Sequence, residues 1–142
     1  MRTVATARTT STASPATVFA QWQDAAGWPE WSPDIEWVRL DGPVAVGTPG
    51  VMKLKGGPRL RFVVAALTRD REYTDRARLP GARVTFQHLV EPASEHGGSR
   101  LAVTVTIDGP LSFLWERVLG AGFRRTVPGG LTRLAELVER AG

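Results

Sequence analysis

From Arg2 to Ile107 apolar and polar residues mostly alternate, and beyond Gly109 the apolar ones return every three or four positions. The first spacing is that of strands with one buried face, the second that of a helix with one apolar stripe. Leu111, Leu114, Trp115, Val118, Leu119, Gly122, Phe123, Val127, Leu131, Leu134 and Val138 mostly share a helical face, which predicts one long amphipathic helix over residues 109–142. Pro128, Gly129 and Gly130 interrupt it. They predict either a bend or mobile lid there, or a junction between two helices.

The alternating part divides at its turns. A strand is predicted over Arg2 to Thr10, then a helix opened by Ser14 as cap and Pro15 at the first helical position and running through Trp22. The stretch Gly27-Trp28-Pro29-Glu30-Trp31-Ser32-Pro33 has room for a one-turn helix whose tryptophans plug one end of the core. Further strands are predicted at Ile35 to Leu40, Val51 to Lys55, Leu60 to Leu67, Arg71 to Leu79, Arg83 to Val90 and Arg100 to Ile107. Short turns between them favour an antiparallel meander, and the whole reads as an α+β layer with its helices on one face. A twisted sheet and a long helix meet closely along only part of their length, so an apolar hollow between them is expected, a usual setting for small-ligand sites.

The alternation also says which side chains face that hollow. Val84, Phe86, His88 and Val90 form one inner set, and Leu101, Val103, Val105 and Ile107 another. Leu60, Phe62, Val64 and Ala66 are read as inward against Arg61, Val63, Ala65 and Leu67, and Lys53 and Lys55 leave Met52 and Leu54 inside. Tyr73, Ala77 and Leu79 carry Asp75 inward with them, where the carboxyl needs a partner. A Tyr73, Asp75 and His88 cluster would give the hollow a polar end; alternatively, these charges dress an edge strand. His88 fits general acid–base work on a carbonyl compound, and equally a core histidine tied to a backbone carbonyl.

Composition narrows the chemistry. The length suits a single domain, residues 1–142, able to bury ~70% of the unfolded chain's surface. With no cysteine, disulfides, thiolate metal sites and cysteine nucleophiles are excluded. His88 and His96 are the only histidines, so no metal site is expected, and nothing in the chain asks for a cofactor; His96, in the glycine turn Glu95-His96-Gly97-Gly98-Ser99, reads as a solvated loop residue. Dinucleotide, phosphate-loop, zincin, nucleophile-elbow and EF-hand motifs are missing. The formal charge is +4, but the arginines are dispersed, which argues against a nucleic-acid partner. The N-terminus lacks a signal-peptide core and no apolar run approaches the ~18 residues of a membrane span, so a cytoplasmic protein without stable membrane association is expected.

Several local patterns carry a resemblance. Ser14-Pro15-Ala16-Thr17-Val18-Phe19, Trp28-Pro29-Glu30-Trp31-Ser32-Pro33, Val46-Gly47-Thr48, the stretch from Asp75 through Pro80-Gly81 to His88, and Gly98-Ser99-Arg100-Leu101 together make the chain similar to the SRPBCC or START-like superfamily, in particular its bacterial polyketide cyclase/dehydrase-like members. The resemblance implies a helix-grip fold, in which a seven-stranded curved antiparallel sheet wraps a long C-terminal helix, with two short helices after the first strand and an internal cavity. Members bind sterols, lipids, hormones or polyketides, and some fold and dehydrate polyketide chains. No catalytic motif transfers to this sequence, and fold alone does not assign function.

The leading expectation is binding of a small hydrophobic molecule, whether lipid, polyketide or aromatic, against Trp31, Met52, Leu54, Phe62, Tyr73, Phe86, His88, Val103, Val105, Trp115 and Phe123. The alternative is a cyclase or dehydratase in which His88, aided by Tyr73 or Asp75, moves protons during aldol closure and water loss. A third is a protein-interaction domain like the START-type activators of a chaperone ATPase, although no exposed apolar stripe is evident in the sequence. A homodimer is left open.

Overall fold

The computed structural model describes residues 2–93 and 97–141, so the Glu95-His96 part of the glycine turn lies outside the described residues. Seven strands form one sheet: β1 (Arg2–Ser11), β2 (Ile35–Leu40), β3 (Pro49–Leu54), β4 (Arg59–Thr68), β5 (Glu72–Leu79), β6 (Ala82–Pro92) and β7 (Ser99–Asp108). Every pairing is antiparallel, in the order β1-β7-β6-β5-β4-β3-β2. The meander expected from the short turns thus runs from β2 to β7. β1 sits beyond β7 because helix α1 (Pro15–Gln23) and the tight helix Ala25–Glu30 carry the chain across the layer to the opposite edge.

The local chemistry of those helices follows the sequence. Ser14 caps α1 by accepting the Thr17 backbone N–H at 3.3 Å, and Pro15 takes the first helical position. Val18, Phe19 and Trp22 make its buried face. Trp28 is buried in the tight helix and donates its indole N–H to the Trp22 carbonyl at 3.0 Å, tying the two helices together.

Strict alternation fails at three bulges. In β4 the pairing shifts between Val64, opposite Asp75, and Ala66, opposite Thr74, so that Leu67 comes opposite Tyr73. Ala65 is the extra residue, and past it the faces exchange: Leu67 packs against the core, and the inward position read for Ala66 is corrected. Similar shifts fall between Ile35 and Trp37 in β2 and between Thr3 and Ala5 in β1. Gly50 in β3 serves close packing; a Cβ there would stand 2.6 Å from both the Phe62 Cζ and the Arg39 carbonyl oxygen.

The closing helix, α2, runs unbroken from Ser112 to Ala141 through Pro128, so the reading of two helices meeting at that point is corrected. From Phe123 onward it buries Phe123, Leu131, Leu134, Ala135 and Val138, mainly over β1 and β7. Its beginning does not bury its stripe: Leu111, Phe113, Leu114 and Val118 are exposed, an apolar surface the alternation of residue types does not reveal.

Because Gly50 would meet a backbone oxygen as well as a ring, Gly50→Ala is expected to cost ~2 kcal/mol and to lower the melting temperature by about 5 °C. Thermal denaturation followed by circular dichroism checks this; an unchanged melting temperature would show that β3 and Phe62 move apart freely.

Candidate functional site

Period-two strands place two neighbouring rows of side chains on the inner face. Tyr73, His88 and Val103 lie side by side on β5, β6 and β7, and Asp75, Phe86 and Val105 form the next row. Met52 and Leu54 continue the wall on β3. Trp22 from α1, Trp28 and Trp31 from the tight helix and its end, and Phe123, Val127 and Leu131 from α2 close the space above them. The result is a cavity of about 60 Å³ with a mostly apolar lining, which also includes Ser32, Asp34, Ile35, Thr126 and Gly130. Gly130 matters for its shape, since a Cβ there would stand 3.1 Å from the Trp31 carbonyl oxygen.

Trp31, Met52, Leu54, Tyr73, Asp75, Phe86, His88, Val103, Val105 and Phe123 all line this cavity. Two residues read as walls do not. Phe62 is buried beneath Trp28, their ring centroids 6.1 Å apart, which separates it from the hollow. Trp115 stands near the start of α2 and donates its indole N–H to the Pro80 carbonyl at 2.8 Å, held at the β5–β6 turn instead. Trp22, Val127 and Leu131 were not assigned to the wall from the sequence; the helical spacing of Val18, Phe19 and Trp22 is the signal that marks the first.

Aromatic rings surround His88. The Trp22, Tyr73 and Trp31 ring centroids lie 5.4, 5.8 and 6.4 Å from that of its imidazole. The imidazole Nδ1 lies 3.1 Å from the Tyr73 carbonyl oxygen, which can only accept, so Nδ1 carries the proton and Nε2 is left with its lone pair in the neutral ring. His88 is half-buried, and lines the cavity. Burial pushes its pKa down to about 4, against the smaller opposing effect of backbone hydrogen bonds.

Asp75 has the opposite tendency. β5 lies inside the sheet, between β4 and β6, and Asp75 is 1% exposed, so the reading of these charges as the dress of an edge strand is corrected. Burial pushes the carboxyl up to about 8, only partly offset by the Tyr73 hydroxyl. That hydroxyl is itself raised by burial and then by the neighbouring carboxylate. The two groups are close enough to influence each other, yet Tyr73 OH and Asp75 Oδ1 do not meet in hydrogen-bonding geometry and both remain unpartnered. At neutral pH the same cavity therefore holds a carboxyl that keeps its proton and an imidazole that lacks one, the division of roles that acid–base chemistry needs.

Elsewhere, a wider depression of about 880 Å³ opens on the outer face of the sheet between Arg8, Arg71, Glu72, Glu91 and Arg100. It is open to solvent and Arg100 is already paired with Glu91 at 2.9 Å, so it offers no comparable set of buried groups. Among the described residues no group of three or more His, Asp or Glu side chains is arranged to hold a metal ion, and no helix is long and apolar enough to cross a membrane.

Comparison with known proteins agrees with this architecture. A family model described as polyketide cyclase / dehydrase and lipid transport matches residues 1–139. Among solved structures, the chain is similar to a hypothetical protein of Helicobacter pylori, with a TM-score of 0.76 at 16% identity, covering 94% of this chain and 86% of that one. It is also similar to a START superfamily protein of Mycobacterium smegmatis, with a TM-score of 0.69 at 12% identity over 96% and 97% of the two chains. A protein of the dynemicin biosynthetic locus matches with a TM-score of 0.70 at 14% identity, covering 96% of this chain and 47% of that one. Such identities establish the fold alone. No functionally curated protein matches the chain.

The opposed shifts of Asp75 and His88 give a distinctive dependence of stability on pH. Asp75 is raised from 3.8 to about 8, so the stability it contributes is present below pH 4 and lost as pH rises toward 8. His88 is lowered from 6.5 to about 4, so its contribution grows from pH 4 to 6.5 and is then constant. The two should cancel from pH 4 to 6.5 and leave a net loss of ~2 kcal/mol between 6.5 and 8. Urea denaturation across this range should show that loss in the parent and none in Asp75→Asn; a decline of the same size in both would assign it to other groups.

Proposed function

The chain belongs to the polyketide cyclase / dehydrase and lipid transport family, and from that premise we propose that it takes a small, largely apolar ring compound into the cavity between sheet and α2. The observation that carries this reading is the cavity itself: a mostly apolar space, ringed by Trp22, Trp28, Trp31, Tyr73, Phe86 and Phe123, within the buried core. Native cores leave few such spaces, because each unfilled one forfeits dispersion contacts.

At about 60 Å³ the cavity is smaller than the ~150 Å³ space that admits benzene into a protein core, so uptake requires its walls to part. The contact between Gly130 and the Trp31 carbonyl is the place for this, with Pro128 two residues away removing one helical hydrogen bond and easing a local bend of α2. Purification from the native host followed by native mass spectrometry should find a compound bound at one per chain. Val103→Phe, which fills the space from the sheet side, should abolish its binding while leaving the circular dichroism spectrum unchanged; a filled variant that still binds would place the ligand elsewhere.

A second reading is favoured by one arrangement, His88 and Asp75 on neighbouring strands lining the same cavity, where burial favours the neutral form of each. On a β-hydroxy carbonyl compound, His88 Nε2 would take the proton from the carbon next to the carbonyl. The C–H electron pair would become the new double bond, and the hydroxyl would leave as water with a proton from Asp75. His88→Ala should then lower turnover of such a substrate at least ~100-fold, as measured by loss of the β-hydroxy compound; equal turnover in both proteins would remove His88 from the chemistry.

A further inference from the structure

Residues that line the cavity carry more hydrogen-bonding capacity than the protein satisfies. Trp22 Nε1, Trp31 Nε1, Tyr73 OH and Asp75 Oδ1 are buried polar atoms without a partner. All four residues line this one cavity, and none is more than 7% exposed. Nearby Trp28 and Trp115 do pair their indole N–H groups, with the carbonyls of Trp22 and Pro80, so unpaired indoles are not a general feature of this packing. Each orphan group forfeits the hydrogen bonds it makes with water, and folded proteins seldom leave several together without a partner outside the chain.

The atom types state what that partner must offer. An indole N–H only donates, so two orphan indoles call for acceptor lone pairs. The Tyr73 hydroxyl and the Asp75 carboxyl can each donate or accept, which suits a hydroxyl. Charge sets the remaining condition. The chain has 18 lysines and arginines, yet none lines the cavity, whose ionisable carboxyls among the described residues are Asp34 and Asp75. A carboxylate or phosphate entering there would lose its water with no cation to replace it.

We infer that the occupant is an uncharged, compact ring compound with at least two oxygen functions, a carbonyl or ether oxygen that accepts from Trp22 and Trp31 and a hydroxyl that engages Tyr73 and Asp75. This rests on the reading of the cavity as the binding site and deepens it, because it separates the ligand both from plain hydrocarbons and from fatty-acid anions. The raised pKa of Asp75 agrees, since a carboxyl without a counter-charge stays neutral and can donate to the ligand or accept from it.

Three probes of similar size test this by isothermal titration calorimetry of the full chain at pH 7: 4-hydroxyacetophenone, its hydrocarbon counterpart 4-ethyltoluene, and the anion 4-hydroxybenzoate. The ketone should bind about 10-fold or more tightly than the hydrocarbon, and the benzoate should be weaker than the ketone by about 100-fold. Tyr73→Phe and Trp31→Phe should each erase most of the ketone's advantage, while the affinity for 4-ethyltoluene, which also reports that the cavity is intact, stays within about threefold. Equal or tighter binding of the hydrocarbon or the benzoate would overturn the inference and leave the cavity reading standing. If no probe binds, both fall.

Discussion

A long helix can follow a twisted sheet closely along only part of its length, and the form of this protein depends on where that contact ends. Leu134 and Val138 are buried on the β1 and β7 side of the layer, whereas over the inner face of β3, β5 and β6 the helix reaches the cavity with Phe123, Val127 and Leu131 and does not fill it. That remainder is covered by side chains from a short, proline-interrupted stretch, chiefly Trp22, Trp28 and Trp31. Large rigid rings cover much area with few degrees of freedom, but they do not fill a concave surface completely, and the cavity is what they leave.

The polar groups at this cavity derive their character from the same geometry. Asp75 and His88 sit on neighbouring strands of an internal part of the sheet because period-two alternation allows no other face for them. Burial drives each toward its uncharged form, which for a carboxyl means keeping a proton and for an imidazole means losing one. Burial thus favours a donor and a base lining one cavity. The same lack of compensation leaves indole, phenol and carboxyl groups of cavity-lining residues unpartnered.

Much of this was legible in the sequence, and the parts that were not share physical causes. Alternation alone identified the inner face of β6 and β7, and Ser14-Pro15 fixed the start of α1. It could not foresee the Ala65 bulge, which depends on how β4 meets β5 across the sheet and which sends Leu67 inward in place of Ala66. Period says which face a side chain takes, not what lies over it, so it does not show that Trp28 covers Phe62 or that the Pro80 carbonyl holds Trp115 at the β5–β6 turn. The burial of Asp75 turned on strand order, since a charged strand reads as an edge until its two neighbours are known.

The proposed ligand site is the space bounded by the tryptophans. The five indole N–H signals of an ¹⁵N-labelled sample report on it directly, because they sample different places: Trp22 and Trp31 at the cavity without partners, Trp28 there but paired, Trp115 at the β5–β6 turn, and Trp37 on the outer face beside Arg59. Adding a neutral hydroxylated aromatic ketone should shift the Trp22 and Trp31 signals strongly and leave those of Trp37 and Trp115 in place. Shifts confined to Trp37 or Trp115, or none at saturating ligand, would contradict the account.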